Sequence, residues 1–171
     1  MIRFNVGSNL DSKFGNRVDN ISIATKLLAD SKIKIKKISN FYKTPSYPNK
    51  KFPSFLNIGI LAEYDFDYTI LLKEISLIEK KIGRVKKDKN DPRVCDIDII
   101  DFNGLTVSTD NFTSPHPRCH LRNFVLYPIK EIDPKWVHPV LKKNIKSLIN
   151  KLNEKSRIEI TRLNKNVIIK T

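Results

Sequence analysis

Cysteine, glycine and tryptophan are scarce in this sequence of 171 residues, which has two cysteines, five glycines and one tryptophan. Two cysteines are too few for a disulfide framework, and the spacing of Cys95 and Cys119 is not that of zinc ligands, so we predict two reduced thiols. No stretch approaches about 18 consecutive apolar residues, and the opening residues lack a basic segment followed by an apolar run. The sequence therefore predicts a cytoplasmic protein without a membrane span.

Two common nucleotide-binding loops are also missing. The sequence contains neither a G-x-x-x-x-G-K-[ST] pattern nor a G-x-G-x-x-G pattern. A nucleotide, if one binds, must therefore be held by other means. The segment "VGSNL" predicts a strand that enters a tight turn at Gly7, because glycine adopts turn conformations at little steric cost.

Acidic residues are fewer than basic ones: the sequence has 18 Asp and Glu against 32 Lys and Arg, and its formal net charge is +14. Such a balance suits a nucleic-acid binder or a site for a small polyanion. The lysines are spread over the whole chain, however, and the K/R-G-F/Y-G/A-F-V motif of RNA-binding domains is absent. We therefore expect small-molecule substrates and no nucleic acid, with an RNA-binding domain as the alternative.

Apolar periodicity divides the chain into strands and helices. "IRFNV" alternates as a strand does, residues 18–28 have helical spacing, "KIKIKKIS" alternates again, and the three prolines of "YKTPSYPNKKFP" predict a loop. "SFLNIGILAEY" predicts a strand, residues 68–82 an amphipathic helix that ends at Gly83, and "CDIDII" another strand. This order predicts one α+β domain over residues 1–171 with a ferredoxin-like core, in which helices flank an antiparallel sheet as three α/β/α layers.

The last third of the chain gives weaker signals. "RNFVLYPI" predicts a further strand, and residues 142–152 predict a helix. "RIEITRLNKNVIIK" predicts a hairpin that turns around residues 164–166.

Two carboxylates alternate with apolar residues in "NDPRVCDIDIID". On a strand, Asp96 and Asp98 share one face, about 6 to 7 Å apart, while Cys95, Ile97 and Ile99 face the core. Two carboxylates at that spacing suit Mg²⁺, which prefers oxygen ligands and shares its coordination with substrate phosphates. A solvated strand edge, with Arg93 as a salt-bridge partner of Asp96, is the alternative.

Aromatic and basic residues gather in two other segments. Phe55 and Asn57 share one strand face, and an aromatic ring beside an amide suits a flat, polar heterocycle. "SPHPRCHLRNFVLYP" mixes phosphate-type donors with an aromatic ring: His116, Arg118, His120, Arg122 and Phe124. Among these, we expect His120 to be a surface residue.

Six segments, taken in order, resemble the 6-hydroxymethyl-7,8-dihydropterin pyrophosphokinase family: "VGSNL", "SNFYKTPS", "FPSFLNIGI", "IEKKIGR", "NDPRVCDIDII" and "SPHPRCHLRNFVLYPIKEIDP". The pair of motifs PR-x-x-D-x-D and PHPR-x-x-x-R-x-FVL is the most specific part of the match. The resemblance covers about residues 2–140 and leaves a C-terminal helix and hairpin extension, about residues 141–171, without motifs.

The resemblance implies transfer of pyrophosphate from ATP to the pterin alcohol by a monomer. It implies two Mg²⁺ ions on Asp96 and Asp98, and a pterin pocket made of Thr44, Pro45, Phe55, Asn57 and Phe124. The residues implied to contact ATP are Glu79, Lys86, Ile99, His116 and Arg122, and those implied to act in catalysis with the two aspartates are Arg84 and Arg93. Another D-x-D phosphoryl or nucleotidyl transferase is the alternative. Asn90 and Asp91 replace an aromatic residue and a glycine of some members.

Overall fold

A computed structural model describes residues 1–47, 49–84 and 92–167. The first half contains β1 (Ile2–Ser8), α1 (Arg17–Asp30), β2 (Lys34–Ile38), β3 (Asn40–Thr44), β4 (Phe55–Glu63) and α2 (Tyr68–Ile82). The second half contains β5 (Asp96–Phe102), β6 (Val107–Ser108), β7 (Thr113–Ser114), α3 (Asn123–Ile132), α4 (Ile145–Lys151), α5 (Glu154–Ile158) and β8 (Thr161–Asn166). Within the described ranges, no helix combines the length and apolar character needed to cross a membrane.

Six strands form one sheet with the order β5-β1-β4-β3-β8, and β2 pairs with β4 beside β3. All of the described pairings in this sheet are antiparallel. The strand order and the helices α1 and α2 reproduce the two interleaved βαβ units of a ferredoxin-like fold. The predicted fold class is therefore confirmed.

Two separate apolar layers cover the two faces of the sheet. One layer packs α1 and α2 on the sheet and contains Cys95, Ile97 and Ile99. The other packs α3 and α4 on the opposite face and contains Ile100 and Trp136. The sheet is thus the middle of three layers, and its α3 side is the face on which Asp96 and Asp98 lie.

A β-bulge interrupts the alternation of β5. Arg3 pairs with Asp101 and the next residue, Phe4, pairs with Ile99, so Ile100 is the extra residue. Both Ile100 and Asp101 consequently face the α3 side of the sheet. There the buried Asp101 carboxylate accepts hydrogen bonds from Arg3 Nη1 at 3.0 Å and Trp136 Nε1 at 2.7 Å.

Helices α1 and α2 begin and end as local sequence rules predict. Asn16 caps α1, since its side chain accepts the Val18 N–H at 2.8 Å, and the Asp19 carboxylate accepts the Asn16 N–H at 2.9 Å. Asp67 caps α2, and Gly83 ends it in a left-handed conformation that a residue with a side chain adopts less readily. The predicted helices are confirmed, with α1 slightly longer than residues 18–28.

The strand predicted at "RNFVLYPI" is wrong, because this segment forms α3. Val125, Leu126, Ile129 and Ile132 repeat at helical spacing and are almost completely buried. Burial of this stripe on the sheet outweighs the β-branched and aromatic residues and Pro128, which disfavour a helix.

Other predictions for the last third of the chain and for the proline-rich loop also need correction. The hairpin predicted around residues 164–166 is wrong, because β8 runs straight through them and pairs with β3. Its predicted second arm falls largely on residues 168–171, outside the described residues. The predicted loop beginning at Tyr42 starts only after Thr44, since β3 pairs with β4 up to that residue. The predicted helix over residues 142–152 is shorter, at Ile145–Lys151.

Candidate active site

Three neighbouring strands carry polar side chains on the α3 side of the sheet. Asn5 lies opposite Asp98 and Gly7 opposite Asp96 in the pairing of β1 with β5, while Gly7 lies opposite Asn57 in the pairing of β1 with β4. Directly opposed residues of antiparallel strands project to the same face. The predicted metal ligands and the predicted pterin-binding amide are therefore close neighbours.

A cavity of about 530 Å³ opens over this face. Its walls contain all five residues implied to bind the pterin: Thr44, Pro45, Phe55, Asn57 and Phe124. They also contain four of the residues implied to bind metal or phosphate: Arg93, Asp96, Asp98 and Arg122. The volume lies within the range of about 300–1,000 Å³ that is usual for small-molecule sites. The structure thus brings an aromatic, amide-bearing region and a charged region into one cavity.

Gly7 lies inside β1, so the predicted turn at this residue is wrong. A Cβ atom at this position would lie 2.7 Å from Asn57 Oδ1. Because glycine has no side chain, the Asn57 amide lies directly against β1, where Asn57 is only 2 % exposed. Gly7 is thus required for the close approach of a side chain rather than for a turn.

The carboxylate pair is unevenly neutralised. Asp96 accepts Arg84 Nη1 at 2.9 Å and Arg93 Nη1 at 2.7 Å, whereas Arg122 Nη1 lies 3.5 Å from Asp98. Burial, together with the neighbouring charge of Asp96, raises the pKa of Asp98 above its usual value. Oxygen ligands on one strand face, one of them short of positive charge, fit a hard divalent cation such as Mg²⁺.

Glu79 and Arg84 lie beside the charged end of the cavity. The Glu79 carboxylate accepts the Ile97 N–H at 2.8 Å and also pairs with the Arg84 guanidinium. Burial raises the pKa of Glu79 despite this partner. Glu79 therefore holds Arg84 where it can reach Asp96, and a direct contact of Glu79 with ATP stays a prediction.

His116 lies next to Arg122, at the edge of a smaller cavity of about 350 Å³. Its Nδ1 accepts the Arg118 N–H at 3.1 Å, and its Nε2 lies 3.5 Å from Arg122 Nη1. Burial and the charge of Arg122 lower the pKa of His116 to about 4. The ring is consequently neutral at physiological pH, and it packs beside a phosphate-type donor.

Two of the predicted ATP contacts lie away from the cavity wall or outside the described residues. The Ile99 side chain packs in the apolar layer with α1 and α2, on the far side of the sheet from the cavity, because successive strand residues face opposite sides. A contact of Ile99 with ATP stays a prediction. Lys86 lies outside the described residues, as do Asn90 and Asp91.

Cys119, His120 and His138 form a cluster whose possible ligand atoms lie within 4.8 Å of one another. His138 Nδ1 accepts the N–H groups of Val140 and Leu141, each at 3.2 Å, so Nε2 carries the proton of the neutral ring. Neither nitrogen of His138 is then available to a metal ion. The three side chains therefore pack against one another as part of the fold. His120, predicted to be a surface residue, is half-buried against His138.

Sequence patterns missed several residues of the cavity wall. Asn153, Ser156 and Glu159, from the C-terminal extension that carried no motif, line the cavity opposite the pterin residues. Asn123 Nδ2 donates to the Ser156 carbonyl at 2.6 Å, and Lys50 Nζ pairs with Glu159 at 2.6 Å. No local signal predicts these contacts, which join segments 33 and 109 residues apart.

Asn5 was also missed, although a signal was available. The alternation of "IRFNVG" places it on the same face as Gly7, two residues away. It is 4 % exposed and lines the cavity.

Comparison with known proteins identifies relatives over most of the chain. The family model described as 7,8-dihydro-6-hydroxymethylpterin-pyrophosphokinase (HPPK) matches residues 4–134. The 2-amino-4-hydroxy-6-hydroxymethyldihydropteridine pyrophosphokinase of Aquifex aeolicus is 33 % identical over 137 residues, which cover 80 % of this chain and 85 % of that protein. The folic acid synthesis protein FOL1 of Dictyostelium discoideum is 38 % identical over 135 residues, which cover 79 % of this chain but 20 % of that protein.

Solved structures show the same fold. A crystal structure of HPPK-DHPS from Plasmodium falciparum superimposes with a TM-score of 0.71 at 16 % sequence identity, covering 94 % of this chain and 47 % of that one. The chain thus spans about half of that solved chain and a fifth of the Dictyostelium relative. The family match, the Aquifex relative and the fold lead to one conclusion. The chain belongs to the 7,8-dihydro-6-hydroxymethylpterin-pyrophosphokinase family, a family of ATP-dependent diphosphokinases of folate synthesis.

Proposed function

We propose that this chain transfers the pyrophosphoryl group of ATP to the hydroxymethyl oxygen of 6-hydroxymethyl-7,8-dihydropterin and releases AMP. The observation that carries the proposal is that one cavity of about 530 Å³ is lined both by the aromatic and amide residues and by the carboxylates and arginines. A phosphate chain and a flat heterocycle can therefore bind within reach of each other.

The pterin ring binds between aromatic side chains. Phe55 projects from the start of β4 and Phe124 from the first turn of α3, and both line the cavity. Aromatic faces bury a flat heterocycle well, and the Asn57 amide offers a donor and an acceptor to its polar edge. Arg122 extends over the Phe124 ring, 5.4 Å from its centroid, and so connects the ring pocket to the phosphate region.

Asp96 and Asp98, on the same face of β5, would hold Mg²⁺, and we propose two ions because the resemblance of the PR-x-x-D-x-D motif implies two. Bound Mg²⁺ would polarise the phosphates and neutralise their charge. Arg84, Arg93 and Arg122 now pair with the acids. With cations bound to the two acids, these guanidinium groups would be available to bind phosphate oxygens in a bidentate manner.

The protein promotes the reaction mainly by positioning the two substrates. The hydroxymethyl oxygen attacks the β-phosphorus in line and loses its proton to solvent, a new O–P bond forms, and the bond from the β-phosphorus to the oxygen of the α-phosphate breaks, so that AMP leaves with that oxygen. Holding the two substrates in this geometry replaces a bimolecular encounter with a step inside one complex. The Phe55–Phe124 pocket fixes the acceptor, and the arginines fix the phosphate chain.

An assay of nucleotide products tests the proposal. The purified protein should release AMP from ATP only when Mg²⁺ and 6-hydroxymethyl-7,8-dihydropterin are both present. EDTA, or omission of the pterin, should abolish the product. Release of ADP in place of AMP would indicate an ordinary phosphoryl transferase, and AMP formation without the pterin would indicate another acceptor; either result refutes the proposal.

The proposal includes a monomeric, cytoplasmic enzyme, with residues 1–171 as one domain. Size-exclusion chromatography with light scattering should give the 19.8 kDa mass of the single chain.

A further inference from the structure

Asn5 occupies a central position on the cavity floor. It lies on β1 between the two strands that carry the other site residues, directly opposite Asp98 on β5 and diagonal to Asn57 on β4. Its Nδ2 donates a hydrogen bond to Asn57 Oδ1 at 3.3 Å. Asn5 thus contacts the predicted pterin-binding amide and lies in register with a predicted metal ligand, and neither the sequence motifs nor the comparisons assign it a role.

The Asn5–Asn57 pair leaves two polar atoms unused. Within the part of the chain that the structure describes, the buried atoms Asn5 Oδ1 and Asn57 Nδ2 have no hydrogen-bond partner. Buried polar atoms without partners are rare because leaving them unsatisfied is costly, and both residues line the cavity. A ligand in the cavity is the natural source of the missing partners.

The orientation of the Asn57 amide follows from the same contacts. Its Oδ1 faces β1, where it accepts from Asn5 and lies over Gly7. This leaves its Nδ2 as the atom that can donate to a ligand. The pair therefore offers one acceptor, Asn5 Oδ1, and one donor, Asn57 Nδ2.

We propose that Asn5 is a specificity-determining residue that orients the Asn57 amide and, with it, binds the lactam edge of the pterin. The proposal rests on the function proposed above. A lactam presents a carbonyl acceptor beside an N–H donor, which complements the free donor and acceptor of the pair. A pteridine whose ring nitrogen next to the carbonyl is methylated cannot donate, so the pair discriminates against it.

The experiment measures ligand binding by three variants and the wild type in the presence of Mg²⁺ and an ATP analogue with a methylene group between the α- and β-phosphorus. Asn5→Ala removes the amide, and Asn5→Leu replaces it with an apolar side chain of similar volume. Asn20→Ala is the matched control, because Asn20 is a fully buried asparagine on α1 with hydrogen bonds to Ser12 and the Leu10 carbonyl. Each is titrated with 6-hydroxymethyl-7,8-dihydropterin and with its N3-methyl analogue.

For both Asn5 variants we expect the dissociation constant of the pterin to rise about tenfold, the effect of one lost hydrogen bond. The preference of the wild type for the unmethylated pterin should largely disappear in both, while the affinity for the ATP analogue stays within about twofold. Asn20→Ala should lose thermal stability but keep wild-type pterin affinity and preference.

Three results would overturn the inference but not the proposed function. The first is wild-type pterin affinity in Asn5→Ala, and the second is recovery of affinity in Asn5→Leu, which would show that Asn5 only fills space. Equal loss of pterin and ATP-analogue binding, with a lowered melting temperature, would show a structural role and also overturn it. Failure of the wild type to bind the pterin or to form AMP would refute the proposed function itself, and the inference with it.

Discussion

Gly7→Ala tests whether the close approach of Asn57 to β1 matters for substrate binding. The added Cβ would lie 2.7 Å from Asn57 Oδ1, whereas ordinary contacts of this kind begin at 3.4 Å. The amide must therefore retreat by roughly 0.7 Å, which displaces the atom that accepts from Asn5 at 3.3 Å. Loss of this orientation should cost about one hydrogen bond to the pterin, or 1–1.5 kcal/mol.

The expected result is a rise of about tenfold in the pterin dissociation constant, with ATP binding unchanged. Alanine is favoured over glycine in a strand by about 0.5–1 kcal/mol, and the overpacking costs about 1–3 kcal/mol. These opposing effects predict a melting temperature lowered by no more than about 10 °C for a chain of this size. The assays are isothermal titration with each substrate and thermal unfolding followed by circular dichroism.

A matched glycine variant separates the local effect from general destabilisation. Gly104 has a φ of 74°, and nothing lies within 4 Å of the place that an added Cβ atom would take, so Gly104→Ala strains the backbone far from the cavity. It should lower the melting temperature by about 2–8 °C, as expected for about 1–2 kcal/mol, without changing either affinity. Wild-type pterin affinity in Gly7→Ala would refute the reasoning.

Three further predictions concern the metal ligands, the ring pocket and the sheet edge. Asp98→Asn should abolish Mg²⁺-dependent AMP formation. The metal-free variant should melt at an equal or higher temperature than the wild type, because the raised pKa of Asp98 means that its charge destabilises the fold at neutral pH. Loss of cooperative melting would instead indicate a structural role. Phe124→Ala should weaken pterin binding, because it removes one aromatic face of the cavity, and should largely retain ATP binding. Equal loss of pterin and ATP affinity in ligand titrations would argue against a ring pocket. Burial alone would raise the pKa of Glu131, but hydrogen bonds from Arg162, Tyr42 and Asn40 lower it to about 2. Glu131→Gln should therefore lower the free energy of unfolding by about 1–2 kcal/mol at pH 7, after allowance for partial exposure. The difference in free energy of unfolding between the variant and the wild type should shrink as the pH falls from about 4.5 towards 2, because the wild-type carboxylate becomes protonated and no longer stabilises the fold. Urea titrations that show no such pH dependence would contradict this prediction.

Regular periodicity in the sequence predicts the elements that carry one simple apolar repeat. β4 has aliphatic residues at every second position from Leu56 to Ala62, although both of its faces are buried, and α2 repeats its apolar residues over fifteen positions. Both elements form where these patterns indicate. The α3 segment is misleading because Phe124 and Leu126 alternate with Val125 and Tyr127, and aromatic and β-branched residues are common in strands. Only the sheet surface under α3, which local sequence does not reveal, selects the helix.

The same distinction applies to the site. Asp96 and Asp98 can be predicted from strand alternation, and Asn5 follows from the alternation of β1 once Gly7 is placed within that strand. The contributions of Asn153, Ser156 and Glu159 depend on contacts with distant segments, such as those of Ser156 with Asn123 and of Glu159 with Lys50. Pairing between distant segments leaves little trace in either segment alone.

The bulge in β5 determines where this strand tolerates a change in length. Removal of Ile100 would leave a regular strand in which Asp101 and Phe102 keep the faces that they have now, at the cost of one buried side chain. Removal of Ile97 would instead turn the residues on one side of the deletion to the opposite face of the sheet, so that Asp96 and Asp98 would no longer share a face. Single-residue deletions three positions apart should therefore differ sharply: the first shortens the strand and spares the metal platform, and the second dismantles it.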